Sequence, residues 1–124
     1  MKYLLDTHIF LWYIENDSRL DEKFYHIIED STNEIYLSVV AVWELIIKAS
    51  LGKFKCDLPI IDFSNKYCIL HNIRFIDLII EDLQGLESLP HIHRDPFDRL
   101  MIVQSKNRNI SFISNDTFVK RYFE

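Results

Sequence analysis

Short apolar runs alternate with longer stretches of helical period along this chain. Tyr3, Leu4 and Leu5 form a run that stops at Asp6-Thr7, the pattern of a buried strand handing over to a capped helix. That helix is rich in apolar and aromatic residues (Ile9, Phe10, Trp12, Tyr13, Ile14). From Ser18 to Asp30, Leu20, Phe24, Ile27 and Ile28 recur at helical spacing between charges, predicting an amphipathic surface helix. Ile35-Tyr36-Leu37 reads as a second strand. Ser38 then caps a long helix carrying Val42, Trp43, Leu45, Ile46, Ala49 and Ser50, ended by Gly52. Pro59 to Leu70 suits a further helix with Ile60, Phe63, Tyr67 and Leu70 on one stripe. Ile73 to Leu78 reads as a strand, and a short helix with Leu83 and Leu86 follows. Asp95-Pro96 starts another helix through Leu100, Met101, Ile102 and Val103, because a carboxylate accepts from free amides and proline fits the first helical position. Ile110 to Ile113 forms a last strand before Ser114-Asn115-Asp116 and a terminal helical turn. Strands alternating with longer helices predict an α/β fold: a central, mostly parallel sheet of four or five short strands with helices on both faces, in one domain spanning residues 1–124.

Composition adds little to that picture except what it excludes. At 48% hydrophobic and 14% aromatic, the chain has ample material for one core, and two glycines with three prolines leave no room for long flexible linkers. The opening MKYLLDTHIFLWYIE meets an acid too soon for a signal-peptide core, and no stretch is long and apolar enough to span a bilayer, so a cytoplasmic protein is expected. Cys56 and Cys68 read as buried free thiols rather than a disulfide framework.

Charge at first argues against a polyanionic partner, since the net value is -5. Its distribution changes the picture. Setting aside Asp6, Glu44, Asp95, Asp98 and Asp116 leaves 14 acids against 14 lysines and arginines. Residues 15–34 are strongly acidic, whereas Lys48, Lys53, Lys55 and Lys66 make residues 48–66 basic, as do Arg94, Arg99, Lys106, Arg108, Lys120 and Arg121 after residue 90.

The five acids stand where ligands bind in open parallel sheets, outside the carboxyl ends of the strands. Asp6 ends the first strand, Asp116 follows the last, and Glu44 lies within the helix leaving the second. Each also has a structural explanation: Asp6, Asp95 and Asp116 as caps, Asp98 as a helix-dipole partner, Glu44 as an ion-pair partner of Lys48. Glu44 resists dismissal most, because it interrupts the apolar run VVAVW-LII, where an unpartnered charge is expensive. Clustered carboxylates repel one another, and a cation removes that cost; oxygen ligands alone favour Mg²⁺ or Mn²⁺ over zinc. His91 and His93 read as solvent-facing rather than zinc-binding. Thr7 and His8 are candidate supporting groups, and Arg94 and Arg99 candidate phosphate contacts.

LLDTHIFLW (residues 4–12), VWELIIKASLGKF (42–54), HRDPFDRLMIVQS (93–105) and ISND (113–116) together resemble a PIN domain, specifically a VapC-type toxin of a bacterial toxin–antitoxin pair. The resemblance implies that Asp6, Glu44 and Asp98 are the three principal acids, Asp116 the fourth, and Asp95 an auxiliary acid. It further implies a Mg²⁺-dependent ribonuclease, dimeric, acting on RNA and neutralised by a small cognate antitoxin. Two other readings stay open. One is a phosphohydrolase with Asp6 as nucleophile, which would want an acid two residues on, where His8 stands. The other is a non-enzymatic interaction module whose acids cap helices or grip a basic partner peptide. The helix of Phe10, Trp12 and Tyr13, with Trp43, offers either core packing, the preferred reading for most of these side chains, or a groove for an antitoxin helix.

Overall fold

A computed structural model describes all of residues 1–124. The elements follow in the order β1 (Lys2–Leu5), α1 (Thr7–Ile14), α2 (Glu22–Glu29), β2 (Glu34–Ser38), α3 (Val39–Ser50), α4 (Ile60–Leu70), β3 (Ile73–Ile76), α5 (Ile80–Ser88), α6 (Pro96–Arg108), β4 (Ser111–Ile113) and α7 (Thr117–Arg121). The four strands pair in the order β3-β2-β1-β4, every pair parallel, with Leu4 opposite both Tyr36 and Phe112. Successive strand residues face opposite sides of a sheet, and Leu4 and Leu5 are both wholly buried, so helices cover both faces. No helix is long and apolar enough to cross a membrane.

Several expected boundaries move, each for a local reason. The helix expected from Ser18 begins only at Glu22, because Asp21 is its cap, accepting from the Lys23 amide, while Asp17 engages Arg19 in the preceding turn. On α4 the expected stripe rotates: Phe63 and Cys68 turn inward and Leu70 is exposed. Cys56, expected to be buried, is half-exposed.

The α6 helix is the axis of the molecule, with every residue from Asp98 to Ser105 buried. Gln104 ties it to the strand ends, accepting from the Ser38 hydroxyl at 2.5 Å and donating to the Asp77 carbonyl at 3.2 Å. Helix α5 packs so close that a Cβ on Gly85 would meet Val103 Cγ1 at 2.5 Å, which requires glycine there. What anchors α5 is not the expected Leu83, which is exposed, but wholly buried Asp82. Arg108 donates to both Asp82 oxygens at 2.8 and 3.0 Å. Burial alone would raise the Asp82 pKa, but Arg108 and the Ile79 amide outweigh it and hold the carboxyl below its usual range. Asp82→Ala leaves this guanidinium without its partner. Removing one half of a buried pair costs about 3–5 kcal/mol, and because Arg108 retains 22% side-chain exposure the loss expected here lies at the low end. A denaturant titration of the variant measures it.

Candidate active site

The residues just past β1 and β4, the start of α1, Glu44 of α3 and the start of α6 surround a cavity of about 310 Å³ lined by Asp6, Glu44, Asp95, Asp98 and Asp116, together with His93. All four acids expected to form the centre, and the auxiliary Asp95, thus meet in one place.

Capping accounts for two of these acids and not for the others. Asp95 caps α6, accepting from the Phe97 and Asp98 amides at 2.9 and 3.3 Å. Asp116 caps α7, with Oδ1 accepting from Phe118 and Val119 and Oδ2 left facing the cavity. Asp6 occupies the cap position of α1 with an extended backbone, yet its side chain makes no cap bond and instead accepts from Ser114 Oγ at 2.6 Å. The expected cap role of Asp6 is therefore corrected. Glu44 is 6% exposed; one oxygen accepts from Thr7 Oγ1 at 2.7 Å, and the other meets Lys48 Nζ at 3.1 Å, the ion pair its spacing predicted. Thr7, wholly inside, thus serves to hold Glu44 rather than to meet a ligand.

Asp98 is 7% exposed and stands among its fellow acids. Burial first, and then the negative charges of Asp6, Asp95, Glu44 and Asp116, push its carboxyl up to about 9. Asp6 is raised by burial and by Glu44, against the lowering effect of Ser114 and His8. Asp116 goes the other way: it is partly desolvated, but the His93 bond and two backbone amides hold it below the usual carboxylate range.

His93 overturns the expectation of a solvent-facing loop histidine. Its side chain is 12% exposed, and Nε2 lies 3.0 Å from both Asp98 Oδ2 and Asp116 Oδ2. Nδ1 accepts from the Asp95 amide at 3.0 Å, which places the proton of the neutral ring on Nε2, where it lies between the carboxyl groups of Asp98 and Asp116. One phenol from the far end of the chain builds this loop: Tyr122 Oη accepts from the Ile92 and His93 amides at 2.9 and 2.8 Å and donates to the Pro90 carbonyl at 2.6 Å.

Arg99 belongs to that same network and is the clearest correction among the site residues. Expected to contact phosphate, it is 7% exposed and turned inward, donating to the carbonyls of Leu89 and Pro90 and to Tyr122 Oη. Its guanidinium is used up in holding the loop. Arg94 stays exposed at the rim, lining with Lys48 and Lys53 a cavity of about 500 Å³ that shares Glu44, His93 and Asp95 with the acidic one. Ser114 and His93 are the site residues that sequence reasoning missed. The one available cue was position, a histidine two residues before the capping acid and a serine just past the last strand.

The donor set suits a hard divalent cation. One ligand atom each from His93, Asp98 and Asp116 lies within 4.8 Å of the others, the carboxylates of Asp6 and Glu44 line the same cavity, and Lys48 is already bound to Glu44.

A parallel four-stranded α/β sheet with an acidic centre beyond its strand ends is the architecture of a PIN-like domain. The PIN domain family model matches residues 3–122, and the chain belongs to that family. No curated protein sequence matches it. Among solved structures, VapBC2 from Rickettsia felis bound to a DNA fragment from their promoter is similar at a TM-score of 0.68 and 19% identity, over 98% of this chain and 93% of that one. At that identity the likeness is one of fold.

Proposed function

We propose that the chain is a Mg²⁺- or Mn²⁺-dependent endoribonuclease, the toxin of a VapC-type toxin–antitoxin pair. The observation that carries this reading is the convergence of Asp6, Glu44, Asp98 and Asp116 on one cavity, three of them buried and without a capping role. Asp6, Asp98 and Asp116 would hold the cation, with Glu44 completing the set or orienting the attacking water. When bound, the cation supplies neutralisation of these charges, Lewis-acid stabilisation of a phosphodiester in hydrolysis, and acidification of water.

The protein's own groups prepare the place. Ser114 occupies one oxygen of Asp6 and Thr7 one of Glu44, which fixes both carboxylates by side-chain hydrogen bonds. His93 bridges Asp98 and Asp116, so their facing oxygens are held together before any cation arrives. Arg94 at the rim would meet substrate phosphate. No serine, cysteine or histidine nucleophile is required, since water is the attacking group.

The family membership and the VapBC2 likeness support an antitoxin partner. Such a partner would place a basic side chain among the acids. A homodimer is supported by exposed Trp43, Ile46, Ile61 and Phe75, which share an apolar cavity of about 330 Å³ and form a larger apolar patch than scattered surface residues explain. The cytoplasm is the compartment proposed for this activity. In a discontinuous RNA-cleavage assay, hydrolysis is expected in Mg²⁺, to stop in excess EDTA, and to return when Mg²⁺ or Mn²⁺ is restored. Equal rates with and without EDTA would refute the metal requirement.

A further inference from the structure

Glu44 differs from the other four acids of the centre in what already holds it. It alone among them meets a lysine or arginine, with Lys48 Nζ 3.1 Å from one carboxylate oxygen while Thr7 donates to the other at 2.7 Å. Both oxygens therefore have a donor before any metal ion arrives. A glutamate and a lysine four residues apart pair commonly on exposed helix faces, where the bond contributes little. This pair is not on such a face, since Glu44 is buried and the Lys48 side chain keeps only 26% of its exposure.

The ammonium is also gripped from a second element. His8, in the first turn of α1, brings Nε2 to 3.3 Å from Lys48 Nζ, and its ring stacks on Trp12 at a centroid distance of 5.9 Å. An ammonium has three N–H donors, so one is left after Glu44 and His8. These three residues stand where three cavities meet. His8 and Glu44 line the acidic one, Glu44 and Lys48 the one of about 500 Å³ beside Arg94, and His8 and Lys48 a third of about 700 Å³. A fixed positive charge thus sits at the edge of the acidic centre.

That placement opposes a centre built for two divalent ions. A pair of ions about 3.5–4 Å apart, the separation two-metal sites use, would need Glu44 as well as the three aspartates, and an ammonium already on that carboxylate repels the second ion. A lysine there is a substitute for the ion.

We propose that Lys48 replaces a second metal ion: its ammonium occupies the cation position at Glu44, and the centre holds a single divalent ion on Asp6, Asp98 and Asp116. The assignment rests on the hydrolytic reading above and makes Lys48 a catalytic residue within it, with Glu44 left to orient water. In the hydrolysis a water oxygen bonds to phosphorus as the bond to the departing ribose oxygen breaks. Water gives up a proton to solvent, the departing oxygen takes one up, and the phosphoryl oxygens carry extra negative charge in between. Lys48 meets that charge with its third N–H and transfers no proton.

Mn²⁺ is the probe, followed by calorimetry and electron paramagnetic resonance on the full chain. The parent should bind one ion and give the spectrum of an isolated Mn²⁺. Lys48→Met keeps most of the side-chain length and removes the charge; it should bind two ions, with the magnetic coupling of a close pair. Lys48→Gln should do the same, and Lys48→Arg should stay at one. Lys48→Met/Glu44→Gln should return to one, since the second ion would have lost its carboxylate. At the Mn²⁺ concentration that fills the first site, Lys48→Met should cleave RNA about 100-fold more slowly than the parent, and recover part of that loss as the second site fills. Two coupled ions in the parent, or a single ion in both Lys48→Met and Lys48→Gln, would overturn the role of Lys48 and leave metal-dependent cleavage standing. A parent that neither binds Mn²⁺ nor cleaves RNA would sink the hydrolytic reading, and this role with it.

Discussion

Asp98→Asn is expected to reduce RNA hydrolysis in Mg²⁺ about 1000-fold, equivalent to about 4 kcal/mol of transition-state stabilisation. The size follows from position. Asp98 lies among all the other acids, whose charges add to burial in raising its pKa, and it shares the His93 donor with Asp116. Groups that merely support metal ligands already cost about 10–100-fold when removed, and a ligand shared by the whole cluster should cost more. Asparagine keeps the shape, so the fold survives. Rates under saturating Mg²⁺, with circular dichroism to confirm folding, check the prediction. A variant that cleaves as fast as the parent would remove Asp98 from the site.

The second large effect is on stability, and it links pH to metal. Asp98 has a folded-state pKa of about 9, above the ordinary value of 3.8. Between those limits the folded protein binds more protons than the unfolded chain, so stability falls as pH rises. The metal-free protein is therefore most stable near the acidic end of that window and loses stability toward pH 9, by at most about 4 kcal/mol between pH 5 and pH 8. A shift of only about 1 kcal/mol already lowers the Tm of a domain this size by several degrees. Mg²⁺ should reverse the loss, because it binds the ionised, folded form and stabilises by mass action. Its benefit should accordingly grow from pH 5 to pH 8. Thermal melts in EDTA and in Mg²⁺ measure both slopes, and a metal-free Tm that rises over this range would contradict the assignment. Asp98→Asn should flatten the metal-free slope.

These effects rest on features of unequal visibility in the sequence. Asp95-Pro96 announced a helix start because capping is local chemistry, and the cap is there. Glu44 stood out because a charge in an apolar run needs a partner, and Thr7 with Lys48 supplies it. Alternation made the parallel sheet legible but not its strand order, which the structure gives as β3-β2-β1-β4. Arg99 was not legible. Helix α6 is buried over its whole middle, so no polar face exists to indicate which charged residue points inward. His93 was hidden for a different reason: its loop is built by Tyr122, 29 residues away, and no local pattern carries that contact. Asp82 shows a third case, in which helical period selects Leu83 and Leu86 while a buried ion pair from α6 anchors the helix.

Isothermal calorimetry of Mn²⁺ binding to the metal-free parent and to Asp98→Asn tests most directly whether the acids form one cation site rather than a set of helix caps. Saturable, stoichiometric binding by the parent that disappears in the variant is the predicted result. No binding by the parent, or the same isotherm in both proteins, would contradict it.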